Sequence, residues 1–87
     1  MTKRISTIVN ERGLHARAAA KFVKTASQFE SEIVVSKDGI EADGKGIMDL
    51  LMLAAQKGSQ IEIEATGPDA DKALNELDQL VQNGFGE

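Results

Sequence analysis

The chain has 87 residues, a net charge of −4 and no cysteine, so we expect one small domain with a single core over residues 1–87. The absence of cysteine excludes disulfides, thiolate metal sites and thiol catalysis. The acidic balance and the lack of Trp and Tyr, with only three Phe, argue against a nucleic-acid-binding protein.

The first predicted elements are a strand and a long helix. The β-branched run Ile5–Val9 predicts a strand, and the polar segment 10–13 predicts a loop. From Ala16 to Ser27 or Gln28 the chain is rich in alanine and has no helix breaker, which predicts a helix. Apolar residues at helical spacing predict its buried face: Ala16, Ala19, Ala20, Val23 and Ala26.

A hairpin and a short helix follow in the middle of the chain. The segments 31–36 and 40–43 predict two strands, and Asp38-Gly39 between them is a typical two-residue hairpin turn. The apolar run Ile47–Ala54, which lies between two glycine-containing segments, predicts a short helix.

The last two predicted elements are a strand and the most regular helix. Clean alternation over Gln60–Ala65 predicts a strand with Ile61, Ile63 and Ala65 on the core side. A helix is expected from Ala70 to Gln82 or Asn83, and Asp69 and Asp71 favour its start through the helix dipole. Its apolar stripe comprises Ala70, Ala73, Leu74, Leu77, Leu80 and Val81. The order β-α-β-β-α-β-α predicts a two-layer α+β domain, with four strands and the helices packed on one face.

The sequence shows no targeting or membrane segment. Residues 1–6 carry charges with no apolar stretch behind them, which is unlike a signal peptide. No apolar run approaches the length of a membrane span. We therefore expect a cytoplasmic protein with no membrane insertion.

His15 is the only histidine, and it stands where the long helix is predicted to begin. Gly13 just before it can adopt backbone angles closed to other residues. The first N–H groups of a helix lack intrahelical partners and attract anions; here they belong to Ala16, Arg17 and Ala18. A nucleophilic imidazole at an anion site predicts reversible phosphoryl transfer through a phosphohistidine.

Arg17 is the second candidate catalytic residue, because a guanidinium forms charge-assisted hydrogen bonds with phosphate oxygens. The plainer interpretation makes His15 and Arg17 ordinary surface residues. A metal site would need carboxylates beside His15, and none lies at ligand spacing. No Ser-His-Asp arrangement lies near His15 in sequence, so hydrolysis would need spatial neighbours. We expect neither a metal nor a cofactor.

The segment Gly13-Leu14-His15-Ala16-Arg17 resembles the phosphorylation motif of the HPr family, the histidine-containing phosphocarriers of the bacterial phosphoenolpyruvate-dependent phosphotransferase system. The resemblance covers essentially the whole chain, including segments 45–48, 62–67 and 84–87. It implies an open-faced β-sandwich of four antiparallel strands covered by three helices. It also implies that His15 takes phosphate from enzyme I on Nδ1 and passes it to a IIA-type protein, while Arg17 steadies the phosphate. Such a protein is a carrier rather than a free-standing enzyme.

Two positions depart from the family pattern. Ala18 stands where a proline is usual. Alanine also favours a helix, but it does not fix the backbone angle φ in the first turn as proline does. Gly46 stands where many members carry a regulatory serine before Ile-Met. Glycine has no hydroxyl to phosphorylate, so we expect no serine regulation at this position.

Two groups of residues are candidates for docking partner proteins. Arg17, Lys21 and Lys24 fall at i, i+4 and i+7, which makes a basic stripe on the predicted helix or, alternatively, an ordinary solvated face. Apolar side chains of the short helix form the second group, which could equally be core: Ile47, Met48, Leu51 and Met52. Methionine is frequent at surfaces that accept several partners.

The sequence leaves the branch of the phosphotransferase system open, because carbohydrate and nitrogen-regulatory carriers are closely similar. The nitrogen-branch alternative is a regulatory phosphocarrier that acts mainly by binding partner proteins. A purely regulatory module of this family would lack the histidine that this chain has. A small RNA-binding domain is disfavoured by charge and by the few aromatic residues. We expect a monomer.

Overall fold

A computed structural model describes residues 2–87. The helices and strands follow the predicted order: β1 (Thr2–Thr7), α1 (Ala16–Ala26), β2 (Glu32–Lys37), β3 (Ile40–Asp43), α2 (Ile47–Met52), β4 (Gln60–Thr66) and α3 (Ala70–Gln82), with a final 3₁₀ turn at Gly84–Gly86. Within residues 2–87, no helix combines the length and the apolar character needed to span a bilayer.

The four strands form one antiparallel sheet in the order β1-β4-β2-β3. Ile61, Ile63 and Ala65 of β4 are buried, and the residues between them are not. This alternation confirms the predicted core side of β4. Because the helices cover only the apolar face, the opposite face of the sheet is open, and the predicted open-faced α+β fold is confirmed.

The bounds predicted for β1 are wrong by about three residues at the start. The strand covers Thr2–Thr7 rather than Ile5–Val9. Ile5 is 66% exposed and Val9 is 46% exposed, whereas Ser6 and Ile8 face the core. The partner strand sets this register, because Thr2 pairs with Ala65 of β4. β-branched residues indicate a strand, but they do not say which face is buried.

The predicted buried face of α1 is confirmed at Ala19 and Ala26 but is wrong at Ala16 and Ala20. The buried residues are Ala18, Ala19, Phe22 and Ala26, while Ala16 and Ala20 are exposed and Val23 is half-buried. The helix is rotated so that Phe22, its largest apolar side chain, enters the core. Burying a phenylalanine is worth about 1.5–3 kcal/mol, far more than a methyl group contributes.

The predicted apolar stripe of α3 is confirmed except at Leu80, which is half-buried, and it includes one polar residue. Asp78 is only 8% exposed. Its carboxylate accepts hydrogen bonds from Ser6 Oγ (2.5 Å) and Gln82 Nε2 (2.8 Å). It also lies 3.5 Å from the Arg4 guanidinium. Asp78 therefore fastens α3 to β1 at the edge of the sheet.

Candidate functional site

A glycine turn fixes the loop that leads into α1. Gly13 has a φ of +68°, and its N–H donates to the carbonyl of Asn10 (3.1 Å). The N–H of Leu14 donates to the carbonyl of Ala55 (2.9 Å). A Cβ atom on Gly13 would lie 2.4 Å from that Ala55 oxygen. Only glycine fits both the left-handed angle and this close approach, so the loop before His15 is held firmly against the segment after α2.

His15 is the N-cap of α1, as predicted from the sequence. Its backbone is extended, and its carbonyl accepts the first helical hydrogen bond from the N–H of Ala19 (2.8 Å). The ring nitrogen Nδ1 accepts a hydrogen bond from the N–H of Arg17 (3.3 Å). The ring therefore lies over the first turn, where the N–H groups of Ala16, Arg17 and Ala18 precede the first intrahelical bond.

Glu87 is a site residue that sequence reasoning missed. Its Oε2 contacts Nε2 of His15, and its Oε1 accepts a hydrogen bond from Asn10 Nδ2 (3.0 Å). The same Asn10 amide donates to the carbonyl of Gly13 (2.8 Å). The hydrogen bonds from Asn10, first, and His15, second, hold the pKa of Glu87 below its usual value. No local pattern indicates this contact, because His15 and Glu87 are 72 residues apart in sequence.

The end of the chain reaches His15 because the 3₁₀ turn is anchored on α1. Phe85 is fully buried in the core and has a φ of +57°. Nζ of Lys21 donates a hydrogen bond to the Phe85 carbonyl (2.7 Å). The amine of Lys21, a candidate docking residue, is therefore engaged in holding the turn that carries Glu87.

A basic surface pocket of about 320 Å³ lies beside His15, lined by Arg12, Arg17, Lys21, Gly86 and Glu87. In the described part of the chain, neither Arg12 nor Arg17 forms an ion pair. Three cations therefore face one carboxylate, an arrangement suited to an anion such as phosphate. Arg12 was not among the predicted site residues. Across residues 2–87 no group of three acidic, His or Cys side chains is placed to hold a metal ion.

The remaining candidate docking residues lie on α1 and α2, which pack against each other. Lys24 is exposed in the last turn of α1. On α2, Ile47, Met48 and Met52 are 40%, 71% and 74% exposed. Leu51 is half-buried against the core. The structure thus leaves three of the four apolar candidates on the surface.

Comparison with known proteins identifies the family to which this fold belongs. A family model described as the phosphorylation site of the HPr component of the phosphotransferase system matches residues 2–83, which include His15. Phosphocarrier protein HPr from Neisseria meningitidis serogroup A is 49% identical over all of this chain and 98% of the relative.

Solved structures show the same likeness. The crystal structure of HPr-C-His from Thermoanaerobacter tengcongensis superposes with a TM-score of 0.96 at 40% identity, covering 100% of this chain and 98% of that one. A crystal structure of an HPr dimer from the same organism has a TM-score of 0.80 at 40% identity and covers all of both chains.

The open-faced sheet, the histidine at the start of α1 and the basic pocket beside it define a class of small phosphocarrier-like α+β proteins. The chain belongs to the HPr family, the phosphocarriers of the phosphotransferase system.

Proposed function

We propose that this chain accepts a phosphoryl group on His15 from enzyme I of the phosphotransferase system and passes it to a IIA-type protein. The observation that supports this most directly is the position of Nδ1, which faces the N–H of Arg17 in the first turn of α1. Membership of the HPr family supports the same reaction class. We also expect the carrier to be a cytoplasmic monomer, and size-exclusion chromatography tests its mass.

The chemistry follows from the position of the ring. The Nδ1 lone pair attacks phosphorus, and the bond from phosphorus to the donor breaks with its electron pair returning to the donor. The N–H groups of Ala16, Arg17 and Ala18 then donate to phosphate oxygens in place of Nδ1. The Arg17 guanidinium adds a charge-assisted hydrogen bond. The protein thus mainly positions the phosphoryl group and balances its charge.

Partner docking is assigned to the exposed residues of the two adjacent helices. Lys24 steers acidic partner surfaces toward the site, while Ile47, Met48 and Met52 supply an apolar contact area. Such a patch suits a small, transient interface.

The test is incubation of the chain with enzyme I and phosphoenolpyruvate, followed by intact-mass analysis. One acid-labile phosphate is expected on the parent, and none on a His15→Ala variant whose fold is verified by circular dichroism. Labelled protein is then offered separately to a carbohydrate-branch and a nitrogen-branch IIA protein, which identifies the acceptor. An unlabelled parent, or a labelled His15→Ala variant, would contradict the proposal.

A further inference from the structure

We infer that Met48 and Met52 form an oxidant-sensitive pair on α2, where conversion to methionine sulfoxide by a peroxide weakens docking to enzyme I and leaves the chemistry at His15 unchanged. The inference rests on the proposed function, since it concerns the surface that enzyme I covers. It assigns to this surface a reversible chemical modification.

The two methionines are the most exposed large apolar side chains in the described part of the chain, at 71% and 74%. They stand at i and i+4 on α2, so they lie on the same side of the helix. The leucines between them differ, because Leu50 is fully buried and Leu51 is half-buried against the core. α2 therefore contacts the core through leucine and leaves both methionine side chains accessible to solvent.

The methionine pair lies beside the His15 site. α2 packs against α1, the helix that His15 caps. Just beyond α2, the carbonyl of Ala55 accepts a hydrogen bond from the N–H of Leu14 (2.9 Å), the residue before His15. A partner protein that brings a phosphoryl donor to the ring therefore also contacts the exposed side of α2.

Oxidation of these methionines needs no other group of the protein. The thioether sulfur attacks one oxygen of hydrogen peroxide, an S–O bond forms, the O–O bond breaks and the second oxygen leaves as water. The sulfur loses two electrons, and the peroxide gains them. The chain has no cysteine, so no thiol of the same molecule competes for the oxidant.

A sulfoxide changes the surface and spares the fold. Methionine supplies a flexible apolar side chain that suits several partners, whereas its sulfoxide is polar and chiral. Burial against an apolar partner surface leaves the new oxygen without a hydrogen bond, which should raise the KM of enzyme I for this carrier about tenfold. Because both side chains are exposed in the free chain, the thermal midpoint should hardly change.

The test compares the parent with a Met48→Leu/Met52→Leu double variant, before and after treatment with hydrogen peroxide. Leucine keeps the apolar character and the helix propensity of methionine but has no sulfur. Both proteins retain Met1, so the double variant controls for oxidation elsewhere. Peptide mapping should show one added oxygen on Met48 and one on Met52 of the parent. The KM for transfer from enzyme I should then rise in the parent alone.

Three further measurements separate docking from chemistry. Potassium phosphoramidate, a small donor that needs no docking surface, should label His15 at the same rate before and after oxidation. Reduction by the two methionine sulfoxide reductases should restore the original KM. A Met48→Gln/Met52→Gln double variant, which is polar at both positions without an oxidant, should have the raised KM from the start.

An oxidised parent with an unchanged KM would overturn the inference, and so would an equal rise in the leucine variant or slower labelling by phosphoramidate. A KM that stays high after the sulfoxides are reduced, or a normal KM in the glutamine variant, would have the same meaning. In each of these cases enzyme I still phosphorylates the untreated parent, so the proposed function stands. An untreated parent that takes no phosphate from enzyme I would overturn the proposed function and this inference together.

Discussion

The His15 site and a second joint in the molecule, between Ser31 and Asp69, are built in similar ways. Asp69, just before α3, accepts hydrogen bonds from the backbone N–H of Glu30 (2.9 Å) and of Ser31 (3.0 Å), and from Ser31 Oγ (2.5 Å). Ser31 is 1% exposed. In this Ser31–Asp69 joint each of the three donors is hydrogen-bonded to an oxygen of the Asp69 carboxylate. The joint therefore connects two loops, and none of these donors is available to bind a ligand.

At His15 one carboxylate, that of Glu87, also joins distant loops, but three cationic side chains surround it: Arg12, Arg17 and Lys21. Glu87 contacts His15 and Asn10, while Arg12 and Arg17 form no ion pair within residues 2–87. The His15 side chain is 22% exposed. The difference shows that matched donors and acceptors make a structural joint, whereas surplus cations around an accessible nucleophile make a binding site. Mutations in the two regions should therefore affect different properties.

The largest effect is expected from Gly13→Ala, which disturbs the loop that holds His15. Left-handed strain and the contact with the Ala55 oxygen together should lower the free energy of unfolding by about 3 kcal/mol. Gly39→Ala is the matched control, because Gly39 has a φ of +82° and a Cβ there would have no neighbouring atom within 4 Å. It should cost only about 1 kcal/mol. Urea unfolding measures both, and equal losses would show that the close contact is unimportant.

Arg17→Ala should impair the site and spare the fold. Losing one charged phosphate contact should slow transfer from enzyme I about 100-fold, with little change in thermal midpoint because Arg17 is exposed. Arg17→Lys should restore only part of the rate, since lysine lacks the planar fork of donors. Rapid-quench transfer assays and thermal melts on the same samples give the comparison. A destabilised variant with an unchanged transfer rate would reverse the assignment.

Asp69→Asn should show the opposite pattern, with a thermal midpoint lower by several degrees and an unchanged transfer rate. The hydrogen bonds from Ser31 and Glu30 hold the pKa of Asp69 below its ordinary value of 3.8. The stabilisation is therefore fully present above that value and is lost as the pH falls through the lower pKa of the folded state.

Unfolding measured across acidic pH checks this dependence. The parent should be more stable than Asp69→Asn by a constant amount above about pH 5, and the gap should narrow below about pH 4. A gap that does not depend on pH would mean that the charge of Asp69 contributes nothing to the joint.

Lys24→Glu should slow association with enzyme I several-fold at low salt, because charges at the edge of an interface act mainly on encounter rate. Lys72→Glu makes the same charge change at an exposed position of α3 and should leave association almost unchanged. Lys21 is less suitable for this test, since its amine holds the Phe85 carbonyl. Stopped-flow measurements across a salt series compare the association rates of the two variants with enzyme I. Equal rates for the two variants would make Lys24 an ordinary solvated residue.

The smallest effect is expected from Gly46→Ser. Gly46 is the N-cap of α2, and no side chain caps this helix. A Cβ there would meet its nearest atoms at 3.6 Å, which is ordinary contact. Serine should therefore be accommodated and add a few tenths of a kcal/mol through capping. Urea unfolding measures this gain.

The same variant tests regulation. ATP-dependent labelling by a cognate serine kinase is expected only on Gly46→Ser. Efficient labelling of the parent would show that another hydroxyl is used.

Several features of this protein depend on local physics and could be predicted from the sequence. Alternation placed Ile61 and Ile63 in the core, because successive side chains of a strand point to opposite faces. Asp38-Gly39 indicated the hairpin, and both residues do have positive φ. The alanine-rich run after His15 indicated where α1 begins. Each of these signals lies within a few neighbouring residues, so each could be read without knowing the rest of the fold.

Features that join distant parts of the chain became visible only in the folded structure. Competition for the core rotated α1 toward Phe22, and pairing with β4 set the start of β1. Asp69 was expected to stabilise the start of α3 through the helix dipole, yet its carboxylate binds Ser31, 38 residues away. Glu87 reaches His15 only because the buried Phe85 turns the chain end back onto α1. Contacts between residues so far apart in sequence are not indicated by any regular spacing of residues, because they depend on how the helices and strands pack against one another.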